Sequence, residues 1–552
     1  MKKSLFILSA MSIPVFGMAQ SAVDVANLSH EELRGTARYM SMGGAFTALG
    51  GDISAINYNP GGIGIYRSSE LGITFDLNFQ KSTASDQGVK QDETQTKFNV
   101  NNFGYVGSIR LNNDVMPFFS WGANYSRVNS FDRMYTGSIA SLQSVGRGGA
   151  SLSNYIAAIT NSDGVLESDM QFGDSFNPYL DGNAPWLSIL GYQGYVINPT
   201  GSNNYQGLLG DNTTGSAYFH MREKGYTDEY NITFGGNLSN VVYWGLGVGI
   251  TDMNYTQVSY YEENLDNAHI AAQSRDGSGD YYIVPGQADY RITNYLNSNG
   301  SGFNLKLGLI FKPVNEFRIG FAVHTPTWYQ MTDTYWASVD YAYRPNDSDA
   351  FYDNVAQPNN LDLQTNDGRD SWNDYHMRTP WKLMVGAAGV IGSQGIISVD
   401  YEYRGNNTMQ ISDVDGYEYE DVTTDVKTYY KSTNIVRVGA EYRVTPQFSL
   451  RAGYVYESSP VKQEVADDQV VVWTAGTVPY YNLDRTTRYI TAGLGYRFGA
   501  FYADLAYVNK HRESTYHAFS PVIENGAVLQ GSPSASIVSN DNHVVLSLGY
   551  RF

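Results

Sequence analysis

From residue 70 onward, apolar and polar side chains alternate in runs of about ten residues. In the first run, one face carries Leu71, Ile73, Phe75, Leu77 and Phe79, and the other carries Gly72, Thr74, Asp76, Asn78 and Gln80. The last run, 544–552, has the same pattern and ends on an aromatic residue. Successive side chains of a strand point to opposite faces. Alternation at this length is therefore typical of a strand that crosses a membrane, with one face toward lipid and the other toward a lumen.

Fourteen such runs follow one another along the chain. They lie at residues 71–80, 98–111, 118–130, 226–238, 242–258, 302–312, 316–331, 380–391, 395–406, 433–444, 448–458, 488–498, 501–510 and 542–552. Tight turns are predicted at residues 112–117, 239–241, 313–315, 392–394, 445–447 and 499–500. Long loops fill the other seven gaps, the largest at 132–225. Short periplasmic turns that alternate with long extracellular loops are typical of outer-membrane barrels.

The pattern predicts an all-β fold, a fourteen-stranded antiparallel transmembrane β-barrel over residues 69–552. A soluble β-sandwich also alternates, but its strands are usually shorter and its loops lack this rhythm. The C-terminal strand with Phe552 resembles the signal that barrel-assembly machinery reads, so this machinery is an expected partner, together with outer-membrane lipid.

The first nineteen residues have the features of a secretory leader. Lys2 and Lys3 precede a short apolar stretch at 4–17, and small residues follow at 17–19. No later stretch contains eighteen unbroken apolar residues, so no transmembrane helix is expected. We therefore predict a cleavable signal peptide at 1–19 and an outer-membrane location.

Composition excludes several kinds of chemistry. The chain has no cysteine, which removes disulfides, thiolate metal sites and cysteine nucleophiles. Its formal net charge of −19 repels nucleic-acid phosphates, so no nucleic-acid partner is expected. The eight histidines show no paired metal-binding or catalytic spacing. We expect no enzyme activity, no cofactor and no metal.

Residues 20–68 are predicted to form a plug, or hatch, inside the barrel. Eight strands make a barrel filled by its own side chains, while sixteen to eighteen leave a channel, so fourteen need an additional filling. A short helix is expected near 23–33, before a glycine-rich stretch. Glycine permits left-handed turns and close backbone approach, and Pro60 fixes a bend. The candidate hatch and gating residues are Gly43, Gly44, Phe46, Asn59, Pro60 and Gly61.

The hatch segment resembles the opening of the FadL/TodX family of outer-membrane long-chain fatty-acid and hydrocarbon transporters. The resemblance is carried by Gly35-Thr36-Ala37-Arg38, Met42-Gly43-Gly44-Ala45-Phe46, Gly50-Gly51-Asp52 and Asn57-Tyr58-Asn59-Pro60-Gly61. Asn59-Pro60-Gly61 departs by one residue from the family's Asn-Pro-Ala. Weaker matches lie at 320–327, 378–382 and 451–454.

This resemblance implies a mechanism. A hydrophobic small molecule is captured by extracellular loops, passes to an internal pocket and is released when the hatch shifts. In the family, exit is thought to be sideways through a kink in the third strand. Here that strand is 118–130, with Gly122 as its one glycine and thus the candidate bend. Gly122 has an equally good interpretation as a small residue that makes room for a neighbour.

Two further groups of residues are candidates for contact with substrate. The predicted loop at 332–378 carries aromatic residues that either form a capture groove or pack the loop: Trp336, Tyr341, Tyr343, Phe351 and Trp372. Mixed charges should face the lumen, and the favoured interpretation is ion pairs between wall and hatch; an unpaired arginine would instead meet a carboxylate headgroup. These charged residues are Arg318, Lys382, Asp400, Glu402, Arg404, Arg437, Glu441, Arg443, Arg451 and Asp504. Inward apolar residues that could line a pocket are Val106, Met384, Val390, Ile435 and Val455.

The sequence leaves two other functions open. One is a general diffusion porin, which requires an open lumen. The other is a surface receptor or adhesin, for example for a haem-like ligand, in which the 132–225 loop binds and nothing crosses.

Overall fold

The computed structural model describes residues 20–142, 150–201, 203–273, 281–346, 361–392, 394–524, 527–530 and 532–552. The predicted leader at 1–19 and the candidate capture residue Phe351 lie outside the described residues.

Strands make up most of the described chain. In chain order they are β1 Glu70–Asp86, β2 Val89–Arg110, β3 Phe118–Ser130, β4 Arg133–Ile139, β5 Asn198–Gly201, β6 Asn204–Gln206, β7 Thr214–Leu238, β8 Val242–Gln273, β9 Tyr281–Val314, β10 Phe317–His324, β11 Trp328–Pro345, β12 Leu361–Gln364, β13 Ser371–Arg378, β14 Lys382–Ile391, β15 Gly395–Arg404, β16 Gln410–Ser412, β17 Thr433–Arg443, β18 Phe448–Glu457, β19 Tyr481–Phe498, β20 Phe501–His517, β21 Val522–Glu524, β22 Ala527–Gln530 and β23 Ser534–Arg551.

Helices are short and lie in the N-terminal segment and in the extracellular connections. The α-helices are α1 Ala22–Leu28, α2 Ala37–Ser41, α3 Ala55–Tyr58, α4 Leu152–Ser162, α5 Pro178–Asp181, α6 Trp186–Gln193, α7 Glu420–Tyr429 and α8 Gln463–Ala466. The 3₁₀ helices are Pro60–Ile65, Glu167–Asp169 and Asn406–Thr408. A further turn at Thr365–Gly368 has left-handed central residues. Among the described residues, no helix is both long and apolar enough to cross a membrane.

The strands close into a barrel with fourteen antiparallel wall positions, which confirms the predicted fold class. In order around the wall they are β1, β2, β3, β7, β8, β9, β10 with β11, β13 with β14, β15 with β16, β17, β18, β19, β20 and β23. β23 pairs with β1 from Glu70 to Ser85 and completes the ring. Two neighbouring positions are interrupted at Pro326 and Pro380, because proline has no N–H to give to the ladder.

The connections at one end are short, at the places where the sequence predicts tight turns. Each of the six predicted turns separates two consecutive wall strands, and the longest runs from Leu111 to Pro117. Both ends of the wall, Glu70 and Arg551, lie opposite each other in the ladder at this same end. Short turns mark the periplasmic end of such barrels.

At the other end, several strands continue far beyond the predicted bounds. β8 has 32 residues and β9 has 34, whereas about 9–11 residues suffice to cross a bilayer. The stretches 81–97 and 259–301, predicted as loops, are mostly continuations of the ladder. Above the membrane neither face meets lipid, so the outward face becomes polar, while the inward face carries buried apolar residues such as Tyr261 and Ile292 and the backbone pairing continues.

The predicted long loop at 132–225 is a folded cap over the extracellular mouth. It comprises β4, α4 to α6, β5, β6 and the first part of β7. Its side chains pack against the extended strands in one hydrophobic cluster, here called the extracellular core. The buried members include Tyr135, Leu152, Ile189, Phe219, Tyr341 and Tyr516.

The alternation has the predicted orientation in the membrane section. Leu77 and Phe79 on β1 are exposed, while Thr74 and Asp76 face inward and are buried. On β23, Leu546 and Leu548 are exposed, whereas Val545 and Ser547 are buried. The apolar outer face is the surface that meets lipid.

Candidate functional site

The N-terminal segment lies inside the lumen. α1 is capped by Ser21, whose side chain accepts from the backbone N–H of Asp24 while the Asp24 carboxylate accepts from the backbone N–H of Ser21. The predicted helix near 23–33 is therefore shorter at its C-terminal end, since α1 ends at Leu28. α2 packs against β18, β19, β20 and β23, and the 3₁₀ helix Pro60–Ile65 contacts the opposite side of the wall. Together these contacts fill the barrel from wall to wall.

A set of inward-facing glycines in the wall receives the hatch, here called the wall glycines. A Cβ on any of them would overlap hatch atoms; at Gly308 it would meet Asn59 and Gly61, and at Gly320 it would meet Thr47. The set comprises Gly235, Gly245, Gly308, Gly320, Gly386, Gly439, Gly453 and Gly493. The hatch backbone therefore approaches the wall backbone directly, as glycine alone allows.

The glycines of the hatch adopt the predicted left-handed turns. Gly43 has φ +61° and Gly44 has φ +70°. Gly44 packs against Leu33 and the ring of Tyr39. Phe46 is fully buried, and its ring lies 5.4 Å from that of Tyr39. Phe46 thus anchors the hatch interior in this conformation.

Asn59-Pro60-Gly61 forms a turn bound to both hatch and wall. The Asn59 side-chain amide donates to the carbonyl of Thr47 in the hatch (2.5 Å) and to the carbonyl of Leu309 on β9 (3.2 Å). Its Oδ1 accepts from the backbone N–H of Gly61 (2.9 Å), and Pro60 begins the 3₁₀ helix. One asparagine therefore ties the hatch to itself and to the barrel.

Ion pairs join hatch and wall around the lumen, as the mixed inward charges indicate. Arg38 donates to Glu441 at 3.0 Å, and Glu441 also accepts from Arg451 at 2.6 Å. Arg34 contacts Asp76 of β1 at 3.1 Å. Further pairs across the same boundary join Glu31 with Lys382 and Glu32 with Lys510.

Several of the remaining inward charges also have partners. Glu402 accepts from Arg404 (2.9 Å) and from Arg437 (2.7 Å). Asp400 accepts from the backbone N–H of Thr47 in the hatch (2.7 Å). Arg443 is exposed at the periplasmic rim. Most charges of the predicted set therefore hold the structure together.

The inward apolar residues pack against the hatch. Val106 belongs to a cluster with Ile53, Ile56 and Ile63, and is fully buried. Ile435 and Val455 are buried in a cluster with hatch residues. Met384 is buried and Val390 is half-buried.

Gly122 faces the hatch in a regular part of β3. It pairs with Val106 on one side and Thr233 on the other without a register shift. A Cβ there would approach Ile63 and Ile56 at 3.2 and 3.3 Å, so Gly122 gives room to neighbours. The irregularity in β3 lies farther along, between Arg127 and Asn129. β3 is therefore regular at Gly122 in this structure, and a role of Gly122 as a lateral-gate bend stays a prediction.

The candidate capture aromatics lie on strands. Trp336, Tyr341 and Tyr343 are on β11, and Trp372 is on β13. Tyr341 and Tyr343 are buried in the extracellular core, Trp336 is half-buried against Tyr295, and Trp372 is 73% exposed. The prediction that 332–378 is a loop is wrong for these residues, and the buried tyrosines form no open groove.

A cavity of about 100 Å³ lies between α1 and the wall, on the extracellular side of the hatch. Its lining mixes apolar and polar side chains from the hatch and from several wall strands. The apolar contributors include Val23, Met221, Met409, Tyr430, Pro460 and Val478.

Arg133 is a cationic group in this cavity that sequence reasoning missed. It is 6% exposed and donates through Nη2 to Ser514 Oγ at 2.6 Å. Its Nε is buried without a hydrogen-bond partner, and it forms no ion pair with the residues that the structure describes. Glu223 lies opposite in the ladder but accepts from Asn27 and Tyr255 instead. Arg133 lay in the predicted loop at 132–225, so no alternation marked it as inward.

Comparison with known protein families finds a match for this chain. A family model described as outer membrane protein transport protein (OMPP1/FadL/TodX) matches residues 223–502, just over half of the 552 residues. No curated protein is similar enough in sequence to be matched.

Solved structures with a similar chain course share little sequence with this protein. A FadL homologue from Pseudomonas aeruginosa is 12% identical, with 95% of this chain and 99% of that chain covered and a TM-score of 0.49. The toluene transporter TodX of Pseudomonas putida is 11% identical, with coverage of 95% and 100% and a TM-score of 0.44. The toluene transporter TbuX of Ralstonia pickettii is 13% identical, with coverage of 94% and 99% and a TM-score of 0.40.

Values this low carry no information on substrate, and the assignment rests on the family model. This chain belongs to the FadL/TodX family of outer-membrane transport proteins.

Proposed function

We propose that this protein takes up small amphipathic acids, such as long-chain fatty acids, across the outer membrane by movement of its hatch. The observation that carries the proposal is the cavity above the hatch, where apolar side chains lie beside the guanidinium of Arg133, which forms no ion pair within the described residues. The cavity lining also contains carboxyl groups, those of Asp24, Glu223, Glu457 and Asp484. A buried arginine without an acidic partner favours a carboxylate ligand. The apolar lining suits a hydrocarbon chain. Neutral hydrocarbons would leave Arg133 unsatisfied.

Passage beyond this cavity requires the hatch to shift. The 3₁₀ helix and α2 contact opposite sides of the wall, so a substrate in the cavity meets hatch atoms below it. Asn59 is the natural hinge, because it links Thr47 in the hatch with Leu309 in the wall. We propose that loss of these two contacts accompanies opening.

The sideways exit implied by the family resemblance fits better at the register shift near Val128 than at Gly122. A small cavity of about 30 Å³ lies behind this shift. It is lined by Val128 of β3 and by the hatch residues Glu31 and Asn57. Its polar lining requires rearrangement before a hydrocarbon chain enters.

Mass spectrometry of the purified full-length protein tests the substrate class. We expect an amphipathic acid to co-purify with the wild type and to be reduced at least tenfold in Arg133→Gln. Arg485→Gln is the matched control, since Arg485 lines the same cavity but is exposed. Equal retention of the acid in both variants would exclude Arg133 as its contact.

Cellular uptake tests the gating step. In a strain that lacks the protein, Asn59→Ala with Pro60→Ala should slow uptake of a labelled long-chain fatty acid relative to the wild-type copy. Surface amounts must match. Unchanged uptake at normal surface levels would remove the hatch turn from the mechanism.

A surface receptor is the second candidate, favoured by one observation. The cap over 132–225 and the long extensions of β8 and β9 give the extracellular side a folded domain of its own. A receptor would bind a ligand such as haem without delivering it, so binding with no uptake distinguishes it from a transporter. A general diffusion porin would give a large steady current in a planar bilayer.

A further inference from the structure

The periplasmic mouth of the barrel contains a second cavity, here called the vestibule. It has a volume of about 320 Å³ and lies beneath the hatch turn at Leu49–Gly51. Its charged lining consists of four arginines and includes no carboxylate: Arg38, Arg67, Arg318 and Arg551. The whole chain has 36 basic and 55 acidic residues, so this concentration of positive charge runs against the overall composition.

Only two of the four guanidinium groups have an acidic partner behind the lining. Arg38 contacts Glu441 at 3.0 Å, and Arg551 contacts Glu70 at 2.8 Å. Within the described residues, Arg67 and Arg318 form no ion pair. The lining therefore keeps a net positive charge from Arg67 and Arg318, which a bound anion would offset.

Arg318 is the least satisfied member of the cluster. Its Nη1 donates to the carbonyl of Leu49 at 3.1 Å, while its Nε is buried and has no hydrogen-bond partner in the part of the chain that the structure describes. Arg67 differs, because it donates to the carbonyls of Gly64 and Tyr66 and to Asn240. Arg318 therefore has bonding capacity left for a ligand.

Apolar side chains complete the vestibule wall. Ile65 and Ile396 are half-buried, and Leu49 and Tyr66 are buried beside the arginines. Positive charge next to hydrocarbon suits a molecule with an anionic head and an apolar chain.

We propose that the vestibule is an anion-binding site that takes the carboxylate of a small amphipathic acid, with Arg318 as its main contact. The identity of that acid as the transported substrate rests on the proposed function. A free periplasmic anion such as phosphate has the same chemistry for a guanidinium, and the experiment separates the two sources.

Occupancy of this site acts on the hatch. Arg38 and Arg551 both donate to the carbonyl of Gly51, at 3.5 and 3.4 Å, and Arg318 donates to that of Leu49. A bound carboxylate competes with these carbonyls for the same N–H groups. The periplasmic anion therefore weakens the hold of the wall on this hatch turn.

Isothermal titration calorimetry on the full-length protein in detergent tests the proposal. Octanoate, octan-1-ol and inorganic phosphate are titrated into Arg133→Gln protein, which lacks the arginine contact proposed above the hatch. We expect octanoate to bind, and Arg318→Gln in this background to weaken it at least tenfold. Arg443→Gln, at an exposed rim arginine outside the lining, should leave it unchanged. Arg318→Lys should keep part of the affinity, because it keeps the charge.

Each outcome decides the proposal. Octanoate binding that depends on Arg318, with weaker phosphate binding, supports an amphipathic acid; phosphate binding alone supports an anion site for a free periplasmic ion. Octanoate binding that is equal in Arg318→Gln, or equal to that of octan-1-ol, overturns the site. A vestibule that binds octanoate in a protein without fatty-acid uptake would instead contradict the proposed function.

Discussion

The two ends of the lumen are closed by different means. At the membrane level, the hatch meets the wall through backbone-to-glycine contacts and ion pairs such as Arg38 with Glu441. Above the membrane, the cap meets the strands through aromatic packing, as where Phe219 stacks on Tyr516 with ring centroids 4.0 Å apart.

In this barrel, one segment closes the lumen and another stabilises the extracellular part. The hatch lies in a lumen whose inward face is polar, because the outward face must be apolar for lipid. Its backbone therefore needs polar partners and a close steric fit. The cap gains its stability from buried apolar area instead. We infer that the hatch is the part built to move, and that the cap is a permanent structure.

Substitution of a wall glycine should have the largest effect on the contacts between hatch and wall. Leu in place of Gly308 would overlap the Asn59 side chain and the backbone nitrogens of Pro60 and Gly61, and that backbone cannot yield easily. Overpacking of this kind costs about 3 kcal/mol or more. We expect an unseated hatch and a large steady current in a planar bilayer. Gly389→Leu is the control, since a Cβ there meets nothing within 4 Å. A Gly308→Leu barrel without a steady current would show that the close fit between hatch and wall does not seal the lumen.

Phe219→Ala tests the cap alone. The side chain is 1% exposed in the extracellular core, so its truncation should cost about 3–5 kcal/mol. Limited proteolysis from outside should then cut within 150–213, while the planar-bilayer current stays low. Tyr218→Ala, at the exposed neighbouring position, should leave the cap resistant. A current that rises together with cap cleavage would mean that the cap and the hatch do not close the lumen independently.

Glu441→Ala tests the hatch contacts alone. It leaves the guanidinium of Arg38 without its partner and removes one of two partners of Arg451, which should cost about 3 kcal/mol. Urea unfolding in micelles should show the loss, and the cap should keep its protease resistance. Glu418→Ala in an exposed connection is the control. Equal unfolding midpoints for the two variants would show that the Glu441 ion pairs do not stabilise the protein.

The smallest expected effect is a pH dependence of α1. Burial, with Arg512 and Lys510 nearby, lowers the pKa of His30 to about 3. An unfolded His takes up a proton near pH 6.5, so the contribution of neutral His30 to stability is complete above that pH. It is lost progressively as the pH falls from 6.5 toward 3.

Hydrogen exchange in residues 21–33 measures this dependence. After correction for intrinsic rates, protection should fall between pH 7 and pH 4.5 in the wild type and fall less in His30→Gln. His511→Gln, at a half-buried position on β20 away from α1, is the control. Identical profiles for wild type and His30→Gln would assign the pH response to other groups.

The sequence predicts the membrane section well and the rest poorly, for a physical reason. Lipid on one face forces an alternation such as Leu71 to Phe79, so strand count, order and tight turns can be predicted. Above the membrane this constraint ends, and the extensions of β8 and β9 carry apolar residues on the inward face, such as Tyr261 and Ile292, and polar residues on the outward face. Candidate site residues there, such as Tyr341 and Tyr343, were therefore placed in a loop although they are buried on a strand.

The hatch shows a similar division. Its turns at Gly43 and Gly44 follow from the glycine pattern. Its partners do not, because the wall glycines depend on which residues face each other across the lumen. Arg133 could not be predicted for the same reason, because its neighbours α1 and Ser514 are distant in sequence.

A reversible cross-link between hatch and wall tests most directly whether the hatch must move. The chain has no cysteine, and the side chains of Asn57 and Ser126 share a 2.6 Å hydrogen bond. Asn57→Cys with Ser126→Cys, oxidised to a disulfide, should reduce fatty-acid uptake at least tenfold, and reduction should restore it. Asn57→Cys alone should show no response to oxidant. Full uptake with the cross-link complete would contradict the account.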